Sequence, residues 1–198
     1  MPSHRLEALE ATLSPGERAR ANRMDVEPRR RAVAARGLLR ELLGLLPEEV
    51  HVHVGEHGKP YVDAALRFNV AHTGDLAVFA FAEGQEVGVD VERVRALEDA
   101  EAVATEVLTP PEREALASLP APVRDAAFLE AWTRKEAYLK GRGDGLHVSP
   151  LAVVVSVLPH EPPALLSVRG EPGEPARWSL HRISPAPGHV GTLAIEAP

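Results

Sequence analysis

The sequence predicts an α+β protein made of two similar α+β subdomains, residues 1–95 and 96–198. In each part, helical patterns come first and strand patterns follow. The spacing of apolar residues changes from about 3.6 to about 2 at the corresponding point of each part. No repeat of individual residues accompanies this order. The prediction therefore rests on the order of elements, with the boundary near residues 93–97.

The first part opens with helices. Ser14 followed by Pro15 is typical of a helix N-terminus, because serine caps free N–H groups and proline suits the first turn. A second helix is predicted from Pro28 to about Leu46, where apolar residues recur at helical spacing. The segment RFNVAHTGD (67–75) is polar and is predicted as a loop. The predicted strands are VHVHV (50–54), LAVFAFA (76–82) and EVGVDVE (86–92).

The second part repeats this order. Thr109 before Pro110, with Glu112 three positions on, marks a capped helix start. A long helix is predicted from about Pro122 to Lys140, and the glycine-rich stretch after it ends that helix. The predicted strands are AVVVSVL (152–158), ALLSV (164–168), RWSLHRI (177–183) and GTLAIE (191–196).

Composition excludes several classes of protein. The 198-residue chain is 44% hydrophobic, which is enough for a core, and it has no cysteine for disulfides, thiolate nucleophiles or zinc sites of the cysteine type. The net charge of −7 disfavours binding of nucleic acid. No apolar run is long enough to span a membrane and no signal-peptide core is present, so we expect a cytoplasmic protein. Motifs of serine hydrolases, P-loop proteins and Rossmann proteins are absent.

The segment GVDVE (88–92) places two carboxylates on one face of a strand. Successive side chains of a strand point to opposite faces, so Asp90 and Glu92 share a face while Val89 and Val91 point the other way. Adjacent carboxylates repel each other, and a hard cation such as Mg²⁺ would relieve that repulsion. The alternative is the solvent-facing side of an edge strand.

The long helix carries the second candidate cluster. Trp132, Glu136 and Lys140 are four residues apart and lie on one face, whereas Lys135 lies about 100° round from Glu136. Glu136 is a candidate third metal ligand, and Lys140 a candidate phosphate contact. The alternative is an ordinary Glu–Lys pair on an exposed helix.

Lysine is rare in this arginine-rich chain. Lys59, Lys135 and Lys140 are its three lysines. Lysine is a compact point charge that reaches a narrow phosphate site more easily than arginine does. Polar residues of the 67–75 segment, namely Arg67, Asn69, His72 and Thr73, are further candidate ligand contacts.

Four motifs occur together in a specific order: GKP (58–60), FNVAHTG (68–74), GVDVE (88–92) and WTRKEAYLKGRGDGL (132–146). In this order they resemble the 4′-phosphopantetheinyl transferases, specifically the long, surfactin-synthetase-activating type, from about residue 13 to 160. The resemblance implies two α+β subdomains related by a pseudo-twofold axis, with the active site in the cleft between them.

The implied activity is that of a holo-[acyl-carrier-protein] synthase. Phosphopantetheine passes from coenzyme A to a serine of an apo acyl or peptidyl carrier protein, and adenosine 3′,5′-bisphosphate is released. Mg²⁺ is the implied metal. We expect a monomer, because a chain of two subdomains can build the cleft within itself.

The resemblance also assigns roles by position. Asp90, Glu92 and Glu136 correspond to metal ligands, and Glu136 also to the proposed general base. Lys140 corresponds to the lysine that holds the coenzyme A phosphates, so the implied catalytic residues are Asp90, Glu136 and Lys140. The other implied coenzyme A contacts are Arg36, Lys59, His72 and Lys135.

The sequence departs from the family pattern at Ala71, where the family usually has serine, and at its N-terminus, which opens as helix where the family usually has a strand. Two alternatives therefore stay open beside the transferase. One is a non-catalytic module that binds coenzyme A. The other is a metal-dependent nuclease that uses Asp90, Glu92, Glu136 and Lys135.

Overall fold

The computed structural model describes residues 1–44, 51–55, 58–63, 65–143 and 148–198. Contacts divide the chain into two compact units, Met1–His51 and Val52–Pro198. The predicted division into residues 1–95 and 96–198 stays a prediction. In the described ranges lie seven α-helices and nine β-strands.

The first unit consists of helices α1, α2 and α3, which span Ser3–Thr12, Pro15–Ala21 and Val26–Leu43. The predicted start of α2 is confirmed: Glu17 N–H donates to Ser14 Oγ at 3.3 Å, and Ser14 N–H donates to Glu17 Oε2 at 2.9 Å. Helix α3 begins two residues before the predicted Pro28, and its predicted end at Leu46 lies outside the described residues. Helices α1 and α3 pack closely at Gly37, where an added Cβ would lie only 2.6 Å from the Cβ of Leu9.

The second unit begins with two antiparallel strand pairs. Strands β1 and β2 span Val52–Val54 and Pro60–Val62, and β3 and β4 span Leu66–Thr73 and Leu76–Glu83. Residue 50 of the predicted VHVHV strand lies outside the described residues. A tight turn at Gly74, with a φ of 55°, connects β3 to β4.

The loop predicted over residues 67–75 is wrong, because most of it is strand β3. Phe68 and Ala71 are buried there, and so is the polar Asn69. Asn69 Oδ1 accepts a hydrogen bond from Val89 N–H at 3.0 Å. A polar side chain is tolerated in the interior when it is bonded in this way, so polarity alone was a poor guide.

A three-stranded antiparallel sheet has the order β5–β9–β8. These strands span Val87–Arg93, His189–Glu196 and Trp178–Ile183. In this sheet Asp90 of β5 lies opposite Thr192 of β9. The strand with the predicted carboxylates therefore obtains its neighbour from the far end of the described chain.

Three helices separate β5 from the later strands: α4 (Ala100–Val107), α5 (Pro110–Ser118) and α6 (Ala121–Arg142). The predicted capping box at the start of α5 is confirmed, and α6 matches the predicted long helix. Helix α6 packs on β5 and β9 and ends at Gly143, whose φ of 79° suits glycine. Its inner face belongs to the largest apolar cluster of the described residues.

The remaining elements complete the second unit. A short 3₁₀ turn at Pro150–Ala152 leads into β6 (Val153–Val155), which pairs antiparallel with β7 (Leu165–Val168). Helix α7 spans Glu174–Arg177 just before β8. The predicted α+β class is confirmed. Among the described helices, none is both long and apolar enough to cross a membrane.

Candidate active site

Strand β5 presents a polar face and an apolar face, as its sequence predicts. Val87, Val89 and Val91 are each 1% exposed and belong to an apolar cluster with residues of β3 and β4. Asp90 and Glu92 alternate with them and so lie on the other face, which packs against α6. The alternation thus places the valines of β5 in the apolar core and its two carboxylates on the opposite face.

Gly88 allows α6 to approach this strand. A Cβ at Gly88 would lie 2.0 Å from the carbonyl oxygen of Ala137 and 2.3 Å from the nitrogen of Gly141. Gly141 is confined from the other side, because its own Cβ would lie 2.6 Å from the ring of Trp178. The backbone of α6 therefore packs directly on the backbone of β5. This contact brings the neighbouring residues of α6 close to Asp90.

One stripe of α6 remains partly accessible. From residue 131 to residue 140, Trp132, Glu136 and Lys140 are half-buried and the other seven residues are buried. The prediction that these three share a face is confirmed. Glu136 and Lys140 thus lie on the accessible side of the helix, next to the carboxylate face of β5.

Lys140 forms an ion pair with Asp90. Its Nζ donates to Asp90 Oδ1 at 2.5 Å, and its side chain is 33% exposed against 8% for Asp90. The other carboxylate oxygen, Asp90 Oδ2, is buried and has no hydrogen-bond partner. Burial raises the pKa of the Asp90 carboxyl to about 6, and the charges of Glu136 and Glu92 also raise it, whereas Lys140 lowers it.

Glu136 and Glu92 belong to the same electrostatic group. Burial raises the pKa of Glu136, and the charge of Glu92 raises it further, while Lys140 opposes both. Glu92 accepts a hydrogen bond from Thr73 Oγ1 at 3.2 Å. The structure therefore brings the three predicted carboxylates within electrostatic reach of one another.

The carboxylates suit a hard divalent cation in their chemistry. A buried, unpartnered oxygen on Asp90 and mutual repulsion among three acids are both features that a cation would relieve. Among the described residues, however, no three acidic or histidine side chains already form a ligand group. Lys140 occupies one oxygen of Asp90 instead. The residues fit Mg²⁺ by type, and the side chains as they stand do not form a complete ligand set.

Lys135 lies elsewhere, which argues against its predicted contact with coenzyme A. Its side chain is 0% exposed, and Nζ donates to Val107 O, Glu112 Oε2 and Pro150 O at 2.9, 2.7 and 3.1 Å. An ammonium has three N–H donors, so all of them are used inside the protein. Burial lowers the pKa of Lys135, and Glu112 opposes that effect. Lys135 is therefore a structural residue that connects α6 to α4 and α5.

Glu112 makes several structural contacts, of which the sequence predicted only the one with Thr109. The capping box predicted its bond to Thr109 N–H, which is 2.7 Å long. Its other oxygen accepts Val155 N–H at 2.8 Å, so it also fixes strand β6. No local pattern in the sequence indicates the contacts with Lys135 or Val155, because both lie far along the chain.

Lys59 is held at the C-terminal end of α6. Its Nζ donates to Glu86 Oε2 at 2.7 Å and to Gly141 O at 2.5 Å. It lines a pocket of about 550 Å³ whose other charged residues are Asp63, Arg67, Glu86 and Arg142. Its predicted contact with coenzyme A stays a prediction.

His72 and Ala71 lie at the end of β3. His72 is exposed and pairs across the strands with Ala77, so its ring is accessible to a ligand. Ala71 is 2% exposed and packs in the apolar cluster of β5. Arg36 belongs to the first unit, where its Nε lies 3.4 Å from Glu17 Oε1. The predicted ligand contacts of His72 and Arg36 stay predictions.

Comparison with known proteins decides the family. A profile of the 4′-phosphopantetheinyl transferase superfamily matches residues 86–194. The 4′-phosphopantetheinyl transferase HetI of Nostoc sp. is 36% identical over 204 residues, which cover 98% of this chain and 83% of HetI. The chain belongs to the 4′-phosphopantetheinyl transferase superfamily. The predicted enzyme class is thereby confirmed.

Other relatives of this transferase match over shorter stretches. The 4′-phosphopantetheinyl transferase AcpT of Salmonella typhimurium is 38% identical over 113 residues, 56% of this chain and 57% of AcpT. Among solved structures, holo-[acyl-carrier-protein] synthase of Thermotoga maritima has a TM-score of 0.45 at 21% identity and covers 56% of this chain and 62% of its own. The ACPS–CoA complex of Chronobacterium ammoniagenes has a TM-score of 0.43 at 18% identity. The match covers 59% of this chain and 99% of that one.

Proposed function

We propose that this transferase is of the long, surfactin-synthetase-activating type. It moves 4′-phosphopantetheine from coenzyme A to a serine of an apo acyl or peptidyl carrier protein, with Mg²⁺, and releases adenosine 3′,5′-bisphosphate. The observation that most supports the metal-assisted reaction is the buried carboxylate of Asp90. One of its oxygens accepts a hydrogen bond from Lys140, and the other has no partner. The cytoplasmic location and the monomeric state stay predictions from the sequence.

In this proposal Asp90, Glu92 and Glu136 would hold Mg²⁺. When bound, the ion supplies positive charge against the pyrophosphate oxygens of coenzyme A. Burial, and in addition mutual repulsion, raises the pKa of Asp90 and of Glu136, and the ion would relieve the repulsion. A bound ion would therefore offset the free-energy cost of keeping three acidic side chains together in a partly buried place.

Lys140 supplies a mobile positive charge beside the acids. Its side chain is a third exposed, and its long stem allows the ammonium to turn from Asp90 toward an anionic ligand. We assign it to the coenzyme A phosphates. A positive charge at this place stabilises the negative charge that develops on the leaving phosphate oxygen as the P–O bond breaks.

Glu136 is assigned as the base for the carrier serine. It lies on the accessible stripe of α6, where the carrier serine can reach its carboxylate and pass a proton to it. The serine oxygen forms a bond to the phosphorus that carries pantetheine, its proton passes to Glu136, and the bond from that phosphorus to adenosine 3′,5′-bisphosphate breaks. Catalysis is then mainly positioning and charge stabilisation.

Intact-protein mass spectrometry tests the proposed function. The purified protein is incubated with coenzyme A, Mg²⁺ and a panel of apo carrier proteins from fatty-acid, polyketide and peptide synthases. At least one carrier is expected to gain the mass of phosphopantetheine, and EDTA is expected to prevent the gain. If no carrier gains mass while a known transferase modifies the same panel, the proposal is wrong. Tight coenzyme A binding without any mass gain would then indicate a non-catalytic module.

A further inference from the structure

The side chain of Thr73 contacts one of the proposed metal ligands. Thr73 is the last residue of β3, and its Oγ1 donates a hydrogen bond to Glu92 Oε2 at 3.2 Å. The hydroxyl engages one oxygen of the carboxylate, so the second oxygen, Oε1, is not used by this bond. Glu92 is half-buried near the end of β5.

The backbone of β3 holds this hydroxyl in a fixed place. Four residues earlier on the same strand, Asn69 Oδ1 accepts Val89 N–H at 3.0 Å, and Asn69 is 5% exposed. The buried bond connects β3 directly to the backbone of β5. Threonine adds rigidity of its own, since its branched Cβ restricts the first side-chain torsion. The donor therefore reaches Glu92 from a rigid strand and not from a flexible loop.

A hydrogen bond to one oxygen limits the orientations of a carboxylate. A free glutamate can rotate about three side-chain torsions, and ordering them on metal binding costs free energy. Groups that hydrogen-bond to a metal ligand and orient it raise metal affinity for this reason. Their loss commonly weakens metal binding by about 10- to 100-fold. Thr73 has the position and the chemistry for this role.

We propose that Thr73 is a positioning residue for Glu92. It holds Oε2 so that Oε1 is turned toward the cation that Glu92 would share with Asp90 and Glu136. This inference rests on the proposed function, because it takes Glu92 as a metal ligand. In this role Thr73 acts through Glu92 and is not itself a metal ligand.

Binding of Mn²⁺, measured by electron paramagnetic resonance without coenzyme A or carrier, tests the proposal independently of turnover. Thr73→Val replaces the hydroxyl with a methyl group of similar size and is expected to weaken Mn²⁺ binding about tenfold. Thr73→Ser keeps the hydroxyl and is expected to stay within about twofold of the unaltered protein. Thr105→Val is the matched control, because Thr105 donates to Glu101 O on an exposed part of α4.

A double-mutant cycle separates positioning from a purely structural role. If Thr73 acts through Glu92, Thr73→Val has no further effect on Mn²⁺ affinity in a Glu92→Gln background. An equal loss in both backgrounds would overturn the proposal, and so would unchanged affinity in the Thr73→Val protein. Thermal unfolding is recorded for every variant, and Thr73→Ala gives the same comparison if valine is not accommodated.

The experiment also distinguishes this inference from the proposed function. Unaltered protein that binds Mn²⁺ and modifies a carrier, beside a Thr73→Val protein that does both equally well, would overturn the role of Thr73 alone. Unaltered protein that binds no Mn²⁺ would overturn the metal assignment, and the role of Thr73 with it. Weaker binding by Thr73→Val, its recovery in Thr73→Ser and its absence in the Glu92→Gln background would support the proposal.

Discussion

Lys135 and Glu112 form an ion pair that is closed off from water, with Nζ and Oε2 2.7 Å apart and side chains 0% and 2% exposed. The next residue along α6 is Glu136, which lies on the accessible stripe of the helix. The buried pair holds the side of α6 that carries Lys135 against α5. It therefore influences which way Glu136 faces, although neither partner touches the carboxylates of β5.

Replacement of Lys135 by methionine is expected to lower the free energy of unfolding by about 3–5 kcal/mol, because Glu112 would keep a buried charge without a partner. Urea unfolding measures this change. The dissociation constant for coenzyme A, measured by calorimetry on folded protein, is expected to stay within about twofold, since the Lys135 ammonium is fully used inside the protein. Lys140→Met is the comparison and is expected to weaken coenzyme A binding. Equal loss of binding in both variants would restore Lys135 as a ligand contact.

Glu136→Gln is expected to abolish carrier modification without loss of stability. The change keeps the shape of the side chain, removes the proposed base and relieves repulsion from Glu92. Mass spectrometry of the carrier and thermal unfolding of the transferase measure the two effects. Glu114→Gln, an exposed change on α5, is the control and is expected to leave both unchanged. Turnover near the unaltered rate in Glu136→Gln would refute the catalytic assignment.

Asp90→Asn is expected to stabilise the metal-free protein above pH 6. The pKa of Asp90 in the folded protein is about 6 against an ordinary value of 3.8, so the proton binds the folded state more tightly than the unfolded one. Well below pH 3.8 the carboxyl is protonated in both states and costs nothing. The cost grows as the pH rises to 6 and then stays constant at roughly 3 kcal/mol, at about 1.36 kcal/mol per pKa unit.

Urea unfolding in EDTA at a series of pH values measures that cost as the difference between Asp90→Asn and the unaltered protein. The difference is expected to be small at pH 4 and to reach its full size near pH 6. A difference that does not change with pH would show that Asp90 titrates in its ordinary range.

Gly88→Ala is expected to destabilise the protein by about 3 kcal/mol, since a methyl group cannot fit beside the backbone of α6 without moving it. The added Cβ would lie 2.0 Å from Ala137 O. Gly173→Ala is the matched control: its Cβ would meet nothing within 4 Å, and its φ of −82° suits alanine. Calorimetric unfolding of both variants gives the comparison. Equal stability of the two would mean that α6 does not pack on Gly88 so closely.

The sequence predicted those parts of the site that depend on local periodicity. The two faces of β5 follow from alternation, and the stripe of Trp132, Glu136 and Lys140 follows from helical spacing. Lys135 could not be placed in this way. A helical wheel gives its angle to Glu136 but does not say which side of the helix other elements cover.

Long-range pairing explains the other differences. Residues 67–75 were predicted as a loop because their polar residues are prominent, and the bond that satisfies Asn69 comes from Val89 on another strand. The neighbour of β5 could not be predicted either, since β9 follows it after four helices and three strands of the described chain. Local patterns carry no information about such partners.

The pairing of β5 with β9 has a consequence for biosynthesis. Asp90 lies opposite Thr192, so the strand that carries the acids cannot complete its sheet until the ribosome has made and released nearly all of the second unit. Closing so long a loop costs entropy before any contact rewards it, and such contacts form late in folding. Newly made chains that lack β9 would thus have Asp90 and Glu92 in sequence but no assembled site, which delays activity until β9 has been made.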